Sequence, residues 1–344
     1  MTGPMIVVYG ATGHTGRMVA AALLAADHRV ILSGRNASAL AGLAAELDGH
    51  VEVRPAALDD AAALRAAAAG AAVVINCAGP FARSGLQVAS AAVAEGAHYL
   101  DHAAEAVYIN GLFDALGGPA EEAGLAVVPG MSFYVATADL LADVVSAGMN
   151  SLDTLTVAYA INGWRMTPAS RTTAVQLTIA DRLGFTDGRF QLVSRDARTT
   201  SFDFPAPLGT RTVMADYPAG DVATIPRHVP TRSVEAYMTA ETFQEDGVFT
   251  SDELDAAARA GSTFTVVVEA RAGDELVTGY VRGRDIYRAG ALVSVAAATR
   301  LTSVRPPVKS GVLAPAQAFD AEELLGALRD QGVFEAVSWG AGRS

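Results

Sequence analysis

An unbroken apolar run, Met5-Ile6-Val7-Val8-Tyr9, predicts a buried parallel strand covered on both faces. Gly10, Gly13 and Gly16 follow at three-residue spacing, and an Ala/Leu-rich stretch to about Ala26 predicts a helix. The same alternation then repeats. Apolar runs at Arg29–Leu32, His50–Val53, Ala71–Ile75, Ala97–Asp101 and Leu125–Gly130 predict five more strands. Helical stretches separate them, including Ser38–Leu47 and Gly85–Glu95, and another opens after Leu58-Asp59-Asp60. Strand–helix alternation of this kind predicts an α/β architecture, a doubly wound parallel Rossmann sheet.

The texture changes after Met149. Thr154–Ala160 alternates with period two, as a half-solvated antiparallel strand does. A helix is predicted over Pro168–Arg182, while residues 189–230 are broken by Thr, Asp and Pro and give no order. Phe264–Arg271 and Leu276–Arg282 predict a hairpin about Ala272-Gly273-Asp274. Asp285 then caps a long Ala-rich helix to about Arg300, and a last helix is expected over Ala321–Arg329. The reading is a second α+β domain. Boundaries are placed at 1–130, 131–305 and 306–344, the last segment returning to the first domain.

Strand, glycine turn and helix in that order form a phosphate cradle, because glycine admits close backbone approach and the helix start offers N–H groups. Gly10, Thr12, Gly13, His14, Thr15 and Gly16 are therefore candidate dinucleotide contacts. The second strand ends in Ser33-Gly34-Arg35-Asn36, where an NAD site usually carries an acid for the ribose hydroxyl. Ser33, Arg35 and Asn36 suit the 2′-phosphate of NADP instead. Asp59 or Asp60 suits the cap of the third helix, and Asp59 is also placed beside the adenine.

Cys77, Ala78, Gly79, Pro80 and Phe81 follow the fourth strand and are expected to wall the nicotinamide end. Cys77 has no evident partner base and reads as a small buried residue. Asp101 and His102 are the general-acid candidates by position, or else a helix cap and a solvated imidazole. Tyr134 is a second candidate proton donor. Arg171 is either a clamp for a substrate carboxylate or a surface residue.

Composition narrows the choices. With 344 residues, 51% apolar, the chain can bury two cores. A net charge of −12 argues against nucleic acid and anionic membrane as partners. No apolar run approaches a membrane span, and the expectation is a cytoplasmic enzyme acting on a small molecule. Cys77 is the only cysteine, which excludes an intrachain disulfide and a cysteine-based metal site. Lys309 is the only lysine and residue 305 is Arg, so the Tyr-x-x-x-Lys pair of short-chain dehydrogenases is absent.

These stretches resemble the saccharopine dehydrogenase-like family, in its short oxidoreductase branch. The resemblance rests on Gly10–Arg17, Asn76–Phe81, and His98-Tyr99-Leu100-Asp101 with Glu105. Gly283-Arg284-Asp285-Ile286-Tyr287 and Lys309–Ala316 extend it. It implies an NADP(H)-binding Rossmann domain, a catalytic α/β domain that often dimerises, and hydride transfer to a C=N or activated C=C bond. His102-Ala103-Ala104 stands where the family commonly has Thr-Gly or Ser-Gly. The expected function is NADPH-dependent imine reduction, since a protonated imine accepts hydride without a dedicated acid. The alternatives are an enoyl reductase acting on a lipid or polyketide, and a non-catalytic NADP sensor.

Overall fold

The computed structural model describes residues 3–341 except 180–181, 194–197, 216, 250–255 and 304–308. Six strands and six helices alternate from Met5 to Ser146. They are β1 (Met5–Tyr9), α1 (His14–Ala25), β2 (Arg29–Gly34), α2 (Ala37–Glu46), β3 (Val51–Pro55) and α3 (Ala61–Ala68). Then come β4 (Val73–Asn76), α4 (Phe81–Ala94), β5 (His98–Asp101), α5 (Ala106–Glu122), β6 (Ala126–Val128) and α6 (Tyr134–Ser146). All pairs in this sheet are parallel, in the order β3-β2-β1-β4-β5-β6. The order reverses between β1 and β4, and a crevice opens there at the carboxyl ends of the strands.

The second unit begins with β7 (Thr154–Asn162), α7 (Pro168–Ile179), β8 (Arg182–Thr186), β9 (Arg189–Val193), β10 (Arg198–Phe204) and β11 (Gly209–Ala215). It continues through α8 (Asp221–Thr224), β12 (Val234–Thr239), α9 (Ala256–Gly261), β13 (Thr263–Ala272), β14 (Glu275–Arg284) and α10 (Ile286–Leu301). Its sheet runs β10-β11-β12-β7-β13-β14-β16, antiparallel except for the β12–β7 pair. The closing elements are β15 (Gly311–Val312), α11 (Pro315–Ala318), α12 (Ala321–Asp330) and β16 (Phe334–Ala341).

Three expectations need correction. Arg182 does not end a helix but opens β8. Thr154–Ala160 is not half-solvated: β7 lies mid-sheet and is buried on both faces. The β10–β11 hairpin supplies the second cover, with Phe202 and Phe204 packed on Ala158, Ala160 and Val267. Arg282 holds its turn by donating to the carbonyls of Pro205 and Ala206. The tail, finally, divides between the sheets. Gly311–Val312 pairs with β6, whereas α12 packs on α6 and β16 joins β14.

Helix α10 binds the two units together. Its Ala-rich surface buries Ala289, Ala291, Ala297 and Ala298 against α1, β4 and β5 on one side and β14 and α12 on others. Small side chains let backbones approach closely, and two hydrogen bonds cross the seam. His28 Nε2 lies 2.9 Å from Thr299 Oγ1, and His102 Nε2 lies 3.0 Å from Ser294 Oγ. The Asp285 cap forms as expected, its Oδ1 accepting from the Arg288 N–H at 3.1 Å.

Candidate functional site

The glycine turn is strapped to the end of β2, where the N–H groups of Gly10 and Ala11 both donate to the Ser33 carbonyl, at 2.9 and 3.1 Å. Gly10 has φ of +77°, and a Cβ there would stand 2.9 Å from Ala78. Only glycine meets both demands. Helix α1 starts after Gly13 with no side chain capping it, which leaves its first N–H groups to an outside acceptor. That is the arrangement a pyrophosphate requires. Thr12, His14 and Thr15 are half-buried around this helix start.

The neighbouring strand ends supply the adenosine side. Ser33 is buried with its Oγ lacking a partner among the described residues. Asn36 caps α2 by accepting from Ala39 N–H at 3.0 Å, and Arg35 is exposed beside it. Asp60, rather than Asp59, caps α3 at 2.8 Å. Asp59 is free of that duty. Burial raises the Tyr9 hydroxyl pKa, Arg35 lowers it and Asp59 raises it, so both charged groups border Tyr9. A guanidinium and an orphaned buried hydroxyl at the end of β2 fit a phosphorylated ribose.

The loop after β4 is held by a buried amide and a buried carboxylate. Asn76 Oδ1 accepts from Ala78 N–H at 2.9 Å, and Glu105 accepts from Phe81 N–H and Ala104 N–H, both at 2.9 Å. The Gly79–Pro80 peptide is cis. Burial raises the Cys77 thiol far above its ordinary range, so it stays protonated and is no nucleophile. Asp101 is fully buried and does not line the cavity described below. Its Oδ1 accepts from Gly130 and Ala103 N–H at 2.7 and 3.0 Å, and its Oδ2 from the Tyr108 hydroxyl at 2.7 Å. Those bonds fix the ends of β5 and β6. His102 does face the cavity, and burial lowers its imidazole to about 4, so it is neutral at pH 7.

A cavity of about 460 Å³ lies between this loop and the second unit. Thr15, Cys77, Gly79, Phe81, His102 and Glu105 form its first wall. The second wall is aromatic, with Phe133, Tyr134, Trp164, Tyr217, Phe243 and Tyr287. Tyr287 positions part of it: its hydroxyl donates to Arg165 O and receives Trp164 Nε1–H and Thr167 N–H, each at 3.1 Å. Its ring meets His14 edge-on at 5.0 Å, so the substrate side touches the phosphate turn.

Behind this wall sits a polar knot that no local pattern announces. The Tyr159 hydroxyl lies 3.0 Å from the Tyr134 carbonyl and 2.8 Å from Asp221 Oδ2. Asp221 is fully buried; burial, with Asp139 adding to it, raises its carboxyl to about 8 against the pull of the Tyr159 bond. The Tyr134 hydroxyl is buried beside Tyr217 without a well-formed hydrogen bond, and Asp221 Oδ1 likewise has no partner among the described residues. Arg171 lies outside the cavity lining, with Nη1 donating to the Phe249 carbonyl at 2.7 Å. Arg182 lines the cavity instead. Tyr159, Trp164, Tyr217 and Asp221 escape a sequence reading because they come from separate elements and carry no motif.

The comparisons with known proteins agree with this geometry. Residues 6–128 match the family model of the saccharopine dehydrogenase NADP binding domain. Over 140 residues the chain is 31% identical to the trans-acting enoyl reductases of Mycobacterium tuberculosis and Mycobacterium leprae. That match covers 39% of this chain and 34% of theirs, so it spans about a third of the length of these curated relatives. The saccharopine dehydrogenase (L-Glu forming) of Saccharomyces cerevisiae superposes with a TM-score of 0.62 at 14% identity. It covers 98% of this chain and 99% of the yeast chain, a likeness of fold alone. Residues 6–128 thus resemble the saccharopine dehydrogenase NADP binding domain, and the whole chain shares the fold of the yeast saccharopine dehydrogenase.

Proposed function

We propose that the protein is an NADPH-dependent reductase of a conjugated C=C bond in an apolar substrate. One observation carries this reading: a buried Tyr134 hydroxyl, next to that of Tyr217, stands in the wall of an aromatic cavity that begins at the phosphate turn. Gly10, Gly13, Thr15 and Gly16 would hold the pyrophosphate and Arg35 the 2′-phosphate, with Cys77 to Phe81 beside the nicotinamide. Bound NADPH supplies a hydride to the substrate. The chain must then place a substrate oxygen and deliver one proton. Tyr134 and Tyr217 offer hydroxyls for both tasks, and the aromatic wall excludes water and accepts an apolar tail. The neutral His102, bonded to Ser294, completes the polar set. The name of the mycobacterial relatives supports the same chemistry.

Imine reduction is the second reading. It is favoured by Arg182, a cavity-lining guanidinium suited to the carboxylate of an oxo acid. A paired assay of NADPH oxidation separates the two. An enone or enoyl thioester is expected to turn over faster than an oxo acid mixed with an amine. Faster turnover of the amine mixture would replace the first reading with the second.

A further inference from the structure

Counting protons in the knot behind the cavity leads to Asp221. Tyr159 has one hydroxyl proton but two oxygen neighbours, the Tyr134 carbonyl at 3.0 Å and Asp221 Oδ2 at 2.8 Å. The carbonyl can only accept. If the carboxyl is ionised, a fully buried charge with no cation bonded to it among the described residues must share that one proton with the carbonyl. If it is protonated, Asp221 donates to Tyr159, Tyr159 donates to the carbonyl, and both contacts are satisfied. We propose that Asp221 carries this proton and is the reservoir that recharges the cavity's tyrosines during reduction, an inference that rests on the C=C reading.

The surroundings suit the role. The ionisable groups nearest Asp221 are Tyr159 on β7, Tyr134 and Asp139 on α6, and Tyr217 just before α8. The neighbouring Asp139 adds to burial in resisting a negative charge on Asp221. On the remaining elements packed against α8, the charges have other partners. Arg227 binds Asn110 and the Phe113 ring, and His228 sits between Asp139 and Asp143. On α5, Tyr108 is bonded to Asp101, and Asp114 acts on Arg227. Arg182 on β8 lines the cavity, and on β12 Glu235 is bonded to Tyr237.

The step balances as follows. Hydride addition at the β carbon leaves an enolate, whose α carbon takes the Tyr134 proton as the O–H bond breaks. The tyrosinate recovers a proton from Asp221 by way of Tyr217, whose hydroxyl interacts with both groups. The resulting carboxylate is reprotonated from solvent once product has left. Each turnover consumes one hydride and one proton, and Asp221 acts through the tyrosines rather than on substrate.

Two measurements test it. Carbon-13 NMR of aspartate carboxyls in the full chain with NADP bound is expected to show one group still protonated at pH 7. Its midpoint should lie near 8, and it should vanish in Asp221→Asn. Titration of every aspartate below pH 6 would overturn the proposal. In enone-driven NADPH oxidation, Asp221→Asn should lower kcat at least about a hundredfold, the low end for lost proton transfer, and flatten the high-pH limb, with NADP affinity unchanged. An unchanged kcat and pH profile would also overturn it. The carboxyl titration needs no substrate, so an enone that fails to react counts against the proposed reaction alone.

Discussion

The two walls of the cavity are built on different physical principles. The first is mostly backbone: a glycine turn, a helix start, and a loop after β4 held by Asn76 and Glu105. Its parts lie within short stretches of sequence, because a phosphate is read by N–H groups in one local conformation. The second wall is mostly side chain. Tyr134, Trp164, Tyr217, Phe243 and Tyr287 arrive from elements up to 153 residues apart, brought together by strand pairing and by α10. A shared ligand keeps its site local; an individual one draws on the whole fold.

The sharpest way to break the first wall is Gly10→Val. With φ of +77° and Ala78 2.9 Å from the added Cβ, the turn must move. NADP binding is expected to vanish, and the left-handed backbone should cost about 1–3 kcal/mol of stability. Fluorescence titration and thermal melting report the two effects. Gly13→Val is milder for the fold, its Cβ meeting only the Gly10 carbonyl at 3.2 Å, and should abolish binding in a chain that still folds. Normal NADP binding by either variant would show that the turn is only structural.

Next in size is a distant support of the second wall. Asp139 on α6 accepts from His228 at 3.1 Å and from Ala316 N–H at 2.8 Å, joining the Tyr134 helix to the turn after α8 and to the tail. Burial alone would lower the His228 imidazole, but Asp139 and Asp143 raise it to about 10. Asp139→Asn is expected to cost about 3–5 kcal/mol, the range for breaking a buried ion pair. Because the folded pKa lies above the unfolded one, this stability is full below about pH 6.5 and lost as pH rises through about 10. Melting curves across that window should show the gap between wild type and variant closing at the alkaline end. A constant gap would assign Asp139 a packing role.

The contrast between the walls also sets how much could be read from the sequence. β1, the glycine turn and Asp285 were legible because their signals are local: an apolar run, a spacing, a cap. The β13–β14 hairpin was legible from alternation about a Gly-Asp turn. Asp221 was not, since Ala219-Gly220-Asp221 reads as any surface turn until β12 pairs in parallel with β7 and buries it. Asp101 shows the opposite failure. A strand-end acid beside a cofactor crevice looks poised for chemistry, yet its oxygens are taken up by Gly130, Ala103 and Tyr108. Position in sequence located it, and only the bonds it makes describe its work.

Tyr134→Phe sharpens the comparison from within the second wall. The change removes one hydroxyl and leaves the ring against Phe133 and Tyr159. Turnover of an enone should fall by about 10²–10⁴, the range for a lost acid, with NADP affinity unaltered. Unchanged turnover would pass the donor role to Tyr217, the neighbouring tyrosine of the cavity wall.

The smallest expected effect returns to the edge of the first wall, where a side chain rather than backbone does the reading. Arg35 is exposed at the end of β2, next to the buried Ser33 hydroxyl and across Tyr9 from Asp59. A guanidinium there meets the 2′-phosphate of NADP with charge-assisted hydrogen bonds, and NAD offers it only a hydroxyl. Arg35→Ala should therefore weaken NADP(H) by about 1.5–3 kcal/mol and leave NAD(H) nearly unchanged. The loss should shrink as salt rises, because the pair is open to solvent and its attraction is screened. Parallel fluorescence titrations of both dinucleotides, at low and high ionic strength, check both statements. Equal weakening of NAD(H) and NADP(H) would move the 2′-phosphate contact away from Arg35 and leave cofactor choice to the backbone around Ser33.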